Sequence, residues 1–228
     1  MRPLQRMLRQ VSKLRTRLLF MRCRPQLKLT LRSRIGTERR YVAAMRQYSS
    51  GTVAQVRRVQ KADILDFDEV LTQRRQSVCV SPLFALVELG HSLDVDDMVF
   101  QDVHIQRLQT LGIDVTLLHN DLLSYIKEEM EGVPHNAVVA CMAQGMTAQE
   151  ALSHVGQEAN RRLEDLEAAA DILTDTSTIY TKDALDYVQG IKNVVKANLY
   201  WSLESDRFFS REQKHLLLTE GTIEIAGA

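Results

Sequence analysis

The stretch that decides the fold runs from His119 to Glu129 and reads HNDLLSYIKEE. Asn120, Ser124 and Glu128 follow one another at intervals of four residues. On an α-helix four residues turn the chain by about 400°, so these side chains project from one face. Amide, hydroxyl and carboxylate oxygens suit Mg²⁺, which usually shares its coordination sphere with water and phosphate. The spacing therefore indicates half of a Mg²⁺-dependent diphosphate site, with Lys127 beside it as a candidate for binding the anion.

The same stripe is also compatible with an ordinary solvated helix face, because Asn, Ser and Glu are common there. The residues around it are mostly apolar, from Ile113 to Ile126. A helix that is apolar nearly all round is typical of a buried position rather than a surface one. The spacing alone leaves both the metal site and the solvated face open.

Two further segments accompany this motif. Arg74 begins the run RRQSVCVSPLFALVE, 46 residues before Asn120 (120 − 74), and Asn198 begins NLYWSLESDRFF near the end of the chain. In order and spacing the three segments resemble class I terpene synthases, in particular the fungal sesquiterpene cyclases. They are similar to that family's diphosphate-sensing arginine block, its Asn/Ser/Glu metal motif and its C-terminal arginine–tyrosine helix. The resemblance extends from about Arg40 to about Phe209.

The resemblance implies an all-α fold, an antiparallel helical bundle of the class I terpene synthase type that is incomplete at its N-terminus. Composition agrees, because only four prolines and ten glycines interrupt long periodic apolar stretches. Capping signals at Asp66 or Asp68, at Thr147 with Glu150, and at Thr181 or Asp183 mark helix starts. The segment 216–225 is left open as a helix or strand. Helices are predicted near residues 38–59, 68–76, 82–91, 103–128, 134–145, 147–172 and 182–205.

The resemblance also implies a function, that of a lyase in sesquiterpene biosynthesis. Members of the family use Mg²⁺ to ionise an isoprenyl diphosphate such as farnesyl diphosphate, cyclise the carbocation in an apolar cavity and release diphosphate. Asn120, Ser124 and Glu128 would then hold Mg²⁺. The implied diphosphate-binding residues are Arg74, Lys127 and Arg207.

Three aromatic residues are candidates for lining the cavity: Phe84, Trp201 and Phe208. Phe84 and Trp201 are equally compatible with the hydrophobic core. The chain also departs from the family pattern. Phe208 stands where the arginine–tyrosine pair has its tyrosine, and Val78 and Cys79 follow the sensor arginine where a small residue, often glycine, is expected.

The N-terminal fifth differs in charge from the rest. Residues 1–40 carry thirteen Lys or Arg and a single acid, Glu38. We divide the chain into this basic segment, interpreted as disordered or non-native, and a terpene synthase-like part at residues 41–228. Targeting and nucleic-acid binding are alternative roles for such a segment. No aspartate occurs in residues 1–62, so the sequence contains no candidate for the family's upstream aspartate-rich motif.

Three hypotheses follow: a terpene cyclase truncated at its N-terminus, a catalytically inactive remnant or interaction protein, and a helical protein whose basic arm binds nucleic acid. Nucleic acid is the least favoured partner. Three scattered cysteines and the absence of a long apolar run indicate a cytoplasmic protein without a membrane span. Missing helices would expose apolar faces, so we expect self-association. The product and the isoprenoid chain length are not encoded in these motifs.

Overall fold

The computed structural model describes residues 31–61, 65–175 and 180–219 of the 228-residue chain. Within these ranges every regular element is helical, which confirms the predicted all-α class. A 3₁₀ helix, Asp97–Gln101, precedes the α-helix Val103–Met130. The α-helices are α1 (Leu31–Lys61), α2 (Phe67–Ser77), α3 (Ser81–His91), α4 (Val103–Met130), α5 (Ala137–Ala143), α6 (Ala148–Asp175), α7 (Lys182–Glu204) and α8 (Arg211–Thr219).

The helix starts follow the capping signals. Asp66 and Glu69 form a reciprocal capping box at α2, with hydrogen bonds of 2.9 and 3.0 Å between side chains and backbone N–H groups. At α6, the Glu150 carboxylate accepts the Thr147 backbone N–H at 2.9 Å. The Thr181 hydroxyl oxygen caps α7 by accepting the third N–H of that helix at 3.2 Å. These local hydrogen bonds explain why the sequence predicts the starts of these helices well.

Helix α4 is the centre of the fold. Fourteen of its 28 residues are buried, as the apolar flanks of the motif predict. Helix α6 packs against it in the opposite direction, since Leu173 shares a hydrophobic cluster with Ile105 whereas Ala151 shares one with Tyr125. Helix α7 packs on α4 in the parallel direction, and Gly112 of α4 permits the close approach, because a Cβ there would lie 3.0 Å from Ile191.

Helix α1 packs on α2 and α3. Glu88 of α3 is fully buried, and its carboxylate accepts hydrogen bonds from Thr37 at 3.2 Å and from Arg40 Nε at 2.9 Å. The Arg40 guanidinium also lies 4.1 Å from the Phe100 ring centroid. Residues 31–40 are therefore helical and make tertiary contacts, so the boundary that we placed at residue 40 falls inside a helix. Residues 1–30 of the basic segment lie outside the described residues.

The chain end is helical as far as Thr219, where the segment 216–225 had been left open. The rest of that segment lies outside the described residues. Among the helices that the structure describes, none combines the length and the apolar character that crossing a membrane requires.

Candidate metal and diphosphate site

The predicted ligand stripe lies at the middle and C-terminal half of α4. Ser124 is 1% exposed, and within the described part of the chain its hydroxyl has no hydrogen-bond partner. Asn120 and Glu128, one turn on either side, are half-buried. A buried hydroxyl without a protein partner is unusual in a folded domain. The stripe is therefore not a solvated helix face, and it retains hydrogen-bonding and coordinating capacity.

Arg74, at the last turn of α2, reaches this stripe. Its Nη2 atom donates to Asn120 Oδ1 at 3.3 Å and forms an ion pair with the buried Asp121 carboxylate. The other Asp121 oxygen accepts the Ala137 N–H at 2.8 Å. Burial raises the pKa of Asp121 to about 6, although the Arg74 charge and the Ala137 hydrogen bond oppose that shift. Asp121 thus fixes the guanidinium beside the first predicted metal ligand.

The neighbouring arginine has a different role. Arg75 Nε and Nη2 donate to the two oxygens of Asp114 at 2.6 and 2.8 Å, and this hydrogen bond raises the pKa of Arg75. Arg162 of α6 also donates to Asp114, at 3.3 Å. Because Asp114 lies in the interior, Arg75 joins α2, α4 and α6 and is occupied by this structural network. Of the two adjacent arginines, Arg74 is the one directed at the ligand stripe.

Asn136 is a site residue that the sequence analysis missed. Its Oδ1 caps α5 by accepting the Val138 N–H at 2.8 Å. Its Nδ2 donates to the Asp121 carbonyl oxygen and to Glu128 Oε2, both at 2.9 Å. Asn136 therefore orients the carboxylate that we assign to the metal. An Asn before an apolar run predicts the cap, but the contact with Glu128 depends on tertiary structure.

Cys79 lies where the family resemblance predicts a small residue. Its φ is 62°, in the left-handed region that favours glycine. The residue follows Val78, the C-cap of α2, and lies five positions after Arg74. Burial raises the pKa of the Cys79 thiol. The departure noted in the sequence thus corresponds to a strained backbone position close to the predicted sensor arginine.

The two other predicted diphosphate-binding residues make contacts with groups outside the stripe. Lys127 is exposed and forms an ion pair with Glu131 at 3.8 Å. Arg207, in the turn after α7, lies 6.0 Å from the Trp201 ring centroid and 5.4 Å from that of Phe208. In the described ranges neither cation hydrogen-bonds to the Asn/Ser/Glu stripe. Their roles in binding diphosphate stay predictions.

The cavity candidates occupy three different environments. Phe84 is 3% exposed and belongs to the main hydrophobic core, whereas Trp201 is 51% exposed. Phe208 is half-buried against the cluster that joins Leu123 of α4 to the end of α7. A pocket of about 90 Å³ between α4 and α6 is lined by residues other than these candidates, such as His104 and Asp165. Cavity lining by the three aromatic residues stays a prediction.

The donor set fits a hard cation. Over the described ranges no three His, Cys, Asp or Glu side chains gather in a metal-binding group. The candidate site instead combines the amide oxygen of Asn120, the hydroxyl of Ser124 and the carboxylate of Glu128. Oxygen ligands with a single carboxylate suit Mg²⁺ bound together with phosphate. The unpartnered Ser124 oxygen is the observation that supports this fit.

Comparison with known families decides the assignment. A family model described as terpene synthase family 2, C-terminal metal binding, matches residues 5–165. The chain belongs to terpene synthase family 2. The match contains the arginine block and the Asn/Ser/Glu motif, and the predicted family is confirmed. It begins at residue 5, so our starting point for the resemblance at Arg40 was too late.

Curated relatives in this terpene synthase family are fungal enzymes. The chain is 31% identical to silphinene synthase of Penicillium patulum over 87% of its own length and 53% of that protein. It is 33% identical to cycloaraneosene synthase of Sordaria araneosa over 78% of its own length and 49% of that protein. The chain thus spans about half the length of the curated relatives that it matches.

A solved terpene synthase confirms the fold. Linalool/nerolidol synthase from Streptomyces clavuligerus, in complex with 2-fluorogeranyl diphosphate, superposes with a TM-score of 0.69 at 21% sequence identity. The superposition covers 75% of this chain and 59% of that one. The predicted class I terpene synthase bundle is therefore the fold of the described region.

Proposed function

We propose that this terpene synthase family member binds an isoprenyl diphosphate with Mg²⁺ and acts as a sesquiterpene cyclase. The observation that carries the proposal is the position of Arg74 Nη2, 3.3 Å from Asn120 Oδ1, beside the buried and unpartnered Ser124 hydroxyl. A guanidinium and a set of oxygen ligands are brought together from two helices. That combination suits an anionic group bound through a cation.

The residues of this chain would have separate roles in binding the metal and the diphosphate. Asn120, Ser124 and Glu128 hold Mg²⁺, which when bound supplies the positive charge that stabilises a departing diphosphate. Arg74 donates hydrogen bonds to phosphate oxygens and is kept in place by Asp121. Helix α4 is deeply buried around the site, and exclusion of water protects a carbocation from being quenched.

Sequence relatives support the substrate class. The curated proteins that match the chain at 31% and 33% identity are named for terpene products, silphinene and cycloaraneosene. We infer an isoprenyl diphosphate as the substrate and farnesyl diphosphate as the first one to test. A cytoplasmic location, expected from the sequence, stays a prediction.

Incubation with substrate tests the proposal directly. Purified chain is mixed with farnesyl diphosphate and Mg²⁺, and the headspace is analysed by gas chromatography–mass spectrometry. We expect a hydrocarbon product that Asn120→Ala abolishes. Asn193→Ala is the matched control, because the half-buried Asn193 lies on α7 and its amide oxygen already accepts a hydrogen bond from Gln189 at 3.0 Å. Absence of product from the unaltered chain contradicts cyclase activity.

A binding assay separates the alternatives. The inactive remnant predicts that Mg²⁺ and inorganic pyrophosphate together do not change the melting temperature, so a clear rise counts against it. If they leave the melting temperature unchanged, the metal site itself is refuted. The nucleic-acid hypothesis requires binding that weakens steeply with salt, and it fails if removal of residues 1–30 leaves the affinity for DNA and RNA unchanged.

A further inference from the structure

The end of α7 carries a second group of buried polar atoms. Within the described residues, Asn198 Oδ1, Ser202 Oγ and Ser205 Oγ are buried and have no hydrogen-bond partner. Ser202 is 1% exposed, as is Ser124 of α4. Buried polar groups in folded proteins nearly always have partners, so a cluster of exceptions indicates that water or a ligand completes it.

The packing register places this group level with the metal stripe. Helices α4 and α7 run in parallel, and Gln109 Nε2 donates to the Tyr187 hydroxyl, 78 residues later, at 2.6 Å. The same separation relates Asn198 to Asn120 (198 − 120) and Ser202 to Ser124 (202 − 124). Equal separations in two parallel helices correspond to equal heights along the pair.

The faces of the two helices also correspond. Asn198 follows Tyr187 by eleven residues, just as Asn120 follows Gln109, and eleven residues return to within about 20° of the same direction. Tyr187, Ile191 and Val195 of α7 belong to the core that contains Ile105, Leu108 and Val115 of α4, and the half-buried Asn198 and the buried Ser202 continue their line. Its spacings of three and four residues keep these side chains on one face.

Contact between the helices persists at this level. Leu123 of α4 shares a hydrophobic cluster with Leu199 and Leu203 of α7. The helices therefore remain packed together beside Ser124 and Ser202. Two buried hydroxyls and two amides then lie at corresponding positions of neighbouring helices, and neither hydroxyl has a protein partner in the described residues.

We propose that Asn198 and Ser202 are further binding residues for the Mg²⁺–diphosphate unit that α4 holds. The Ser202 hydroxyl donates a hydrogen bond to a phosphate oxygen, and the amide oxygen of Asn198 binds the hydrated cation. The inference rests on the proposed function, because it assigns α7 to the same site. It differs in its residues, since at this end of the chain the sequence pointed to Arg207 for diphosphate binding and to Trp201 and Phe208 for the cavity.

Calorimetric titration of inorganic pyrophosphate into the 228-residue chain at saturating Mg²⁺ tests the inference without relying on turnover. Removing one hydrogen bond to a charged group weakens binding by about tenfold to a hundredfold. We expect losses of this size in Ser202→Ala and Asn198→Ala. Ser153→Ala and Asn193→Ala are the matched controls, because Ser153 is exposed on α6 and already donates to the Gln149 carbonyl at 2.7 Å.

The variant Asn120→Ala distinguishes the two ways of failing. If Asn120→Ala abolishes binding while Ser202→Ala and Asn198→Ala bind like their controls, α7 has no part in the site and this inference is overturned, whereas the proposed function stands. If the unaltered chain does not bind pyrophosphate with Mg²⁺, the proposed function fails and the inference fails with it. Melting temperatures of each variant without ligand show whether it is folded.

Discussion

Gly51 of α1 lies against the backbone of Gln76 in α2, and its replacement by alanine gives a sharp test of the packing. A Cβ on Gly51 would lie 2.7 Å from the backbone carbon, the carbonyl oxygen and the Cβ of Gln76. Ordinary carbon contacts are about 3.5–4.0 Å. No side-chain rotation relieves a clash with backbone atoms, so α1 has to move away from α2, two residues from Arg74.

The expected free-energy change combines two opposing effects. Overpacking in a well-packed interior costs about 1–3 kcal/mol. Alanine in a helix interior recovers about 0.5–1 kcal/mol relative to glycine. We therefore expect Gly51→Ala to lower the free energy of unfolding by about 1–2 kcal/mol, which corresponds to about 2–8 °C in melting temperature for a chain of this size.

Gly156→Ala is the matched control. Gly156 lies inside α6, and a Cβ there would meet no atom within 4 Å. Only the helix-propensity gain remains, so the melting temperature should rise by about 1–4 °C. Thermal denaturation followed by circular dichroism at 222 nm measures both variants. A Gly51→Ala chain that melts at or above the temperature of the unaltered chain would refute the tight docking of α1 on α2.

Four further predictions concern the site and its surroundings. Asn136→Ala should lower the free energy of unfolding by about 2–4 kcal/mol in urea denaturation, through loss of a cap and of buried hydrogen bonds, and Asn136→Ser should lower it less because serine keeps the cap. Cys79→Gly should raise the melting temperature slightly, because glycine relieves the left-handed strain. Hydrogen bonds from Arg161 and Arg162 lower the pKa of Glu158 from 4.5 to about 2. The stability that Glu158 contributes is therefore complete above about pH 4.5 and is lost as the pH falls towards 2. The difference in melting temperature between the unaltered chain and Glu158→Gln should shrink on acidification, and a constant difference contradicts this. Exposed apolar side chains on α1 support the predicted self-association, which a sharp monomer peak in size-exclusion chromatography with light scattering would exclude.

Helix positions were predictable wherever the signal is local. Residues 103–128 were predicted as a helix and α4 is Val103–Met130, because a continuous apolar pattern defines its length. Helix α1 begins at Leu31 rather than near residue 38, in a part of the chain where Thr37 and Arg40 bind the buried Glu88. That stabilisation comes from a partner 48 and 51 residues away, which no local pattern reveals.

The candidate site, too, was predictable from the sequence only in part. The separation of 46 residues between Arg74 and Asn120 was visible in the sequence, and the two side chains meet in the structure. The family resemblance pointed to Arg74, but the local sequence gives no physical reason for preferring it to Arg75, because the difference depends on which buried carboxylate each arginine faces. Asn136 was missed for the same reason, since its contact with Glu128 forms only when α5 docks on α4.

Buried polar atoms that lack partners are distributed unevenly over the described residues. They fall at the end of α2, in the middle of α4, just before α5 and at the end of α7, namely in Gln73, Arg74, Ser77, His119, Ser124, His135, Asn198, Ser202 and Ser205. Burial lowers the pKa of His119 to about 4, so even this ring adds no charge near neutral pH. Each such atom costs stability unless water or a ligand completes its hydrogen bonds. These atoms concentrate in and beside the three segments that carry the family motifs. Their concentration there supports the proposed binding site for a hydrated cation and its anion, because such a site would need polar atoms from α2, α4 and α7 that are not already bonded within the protein.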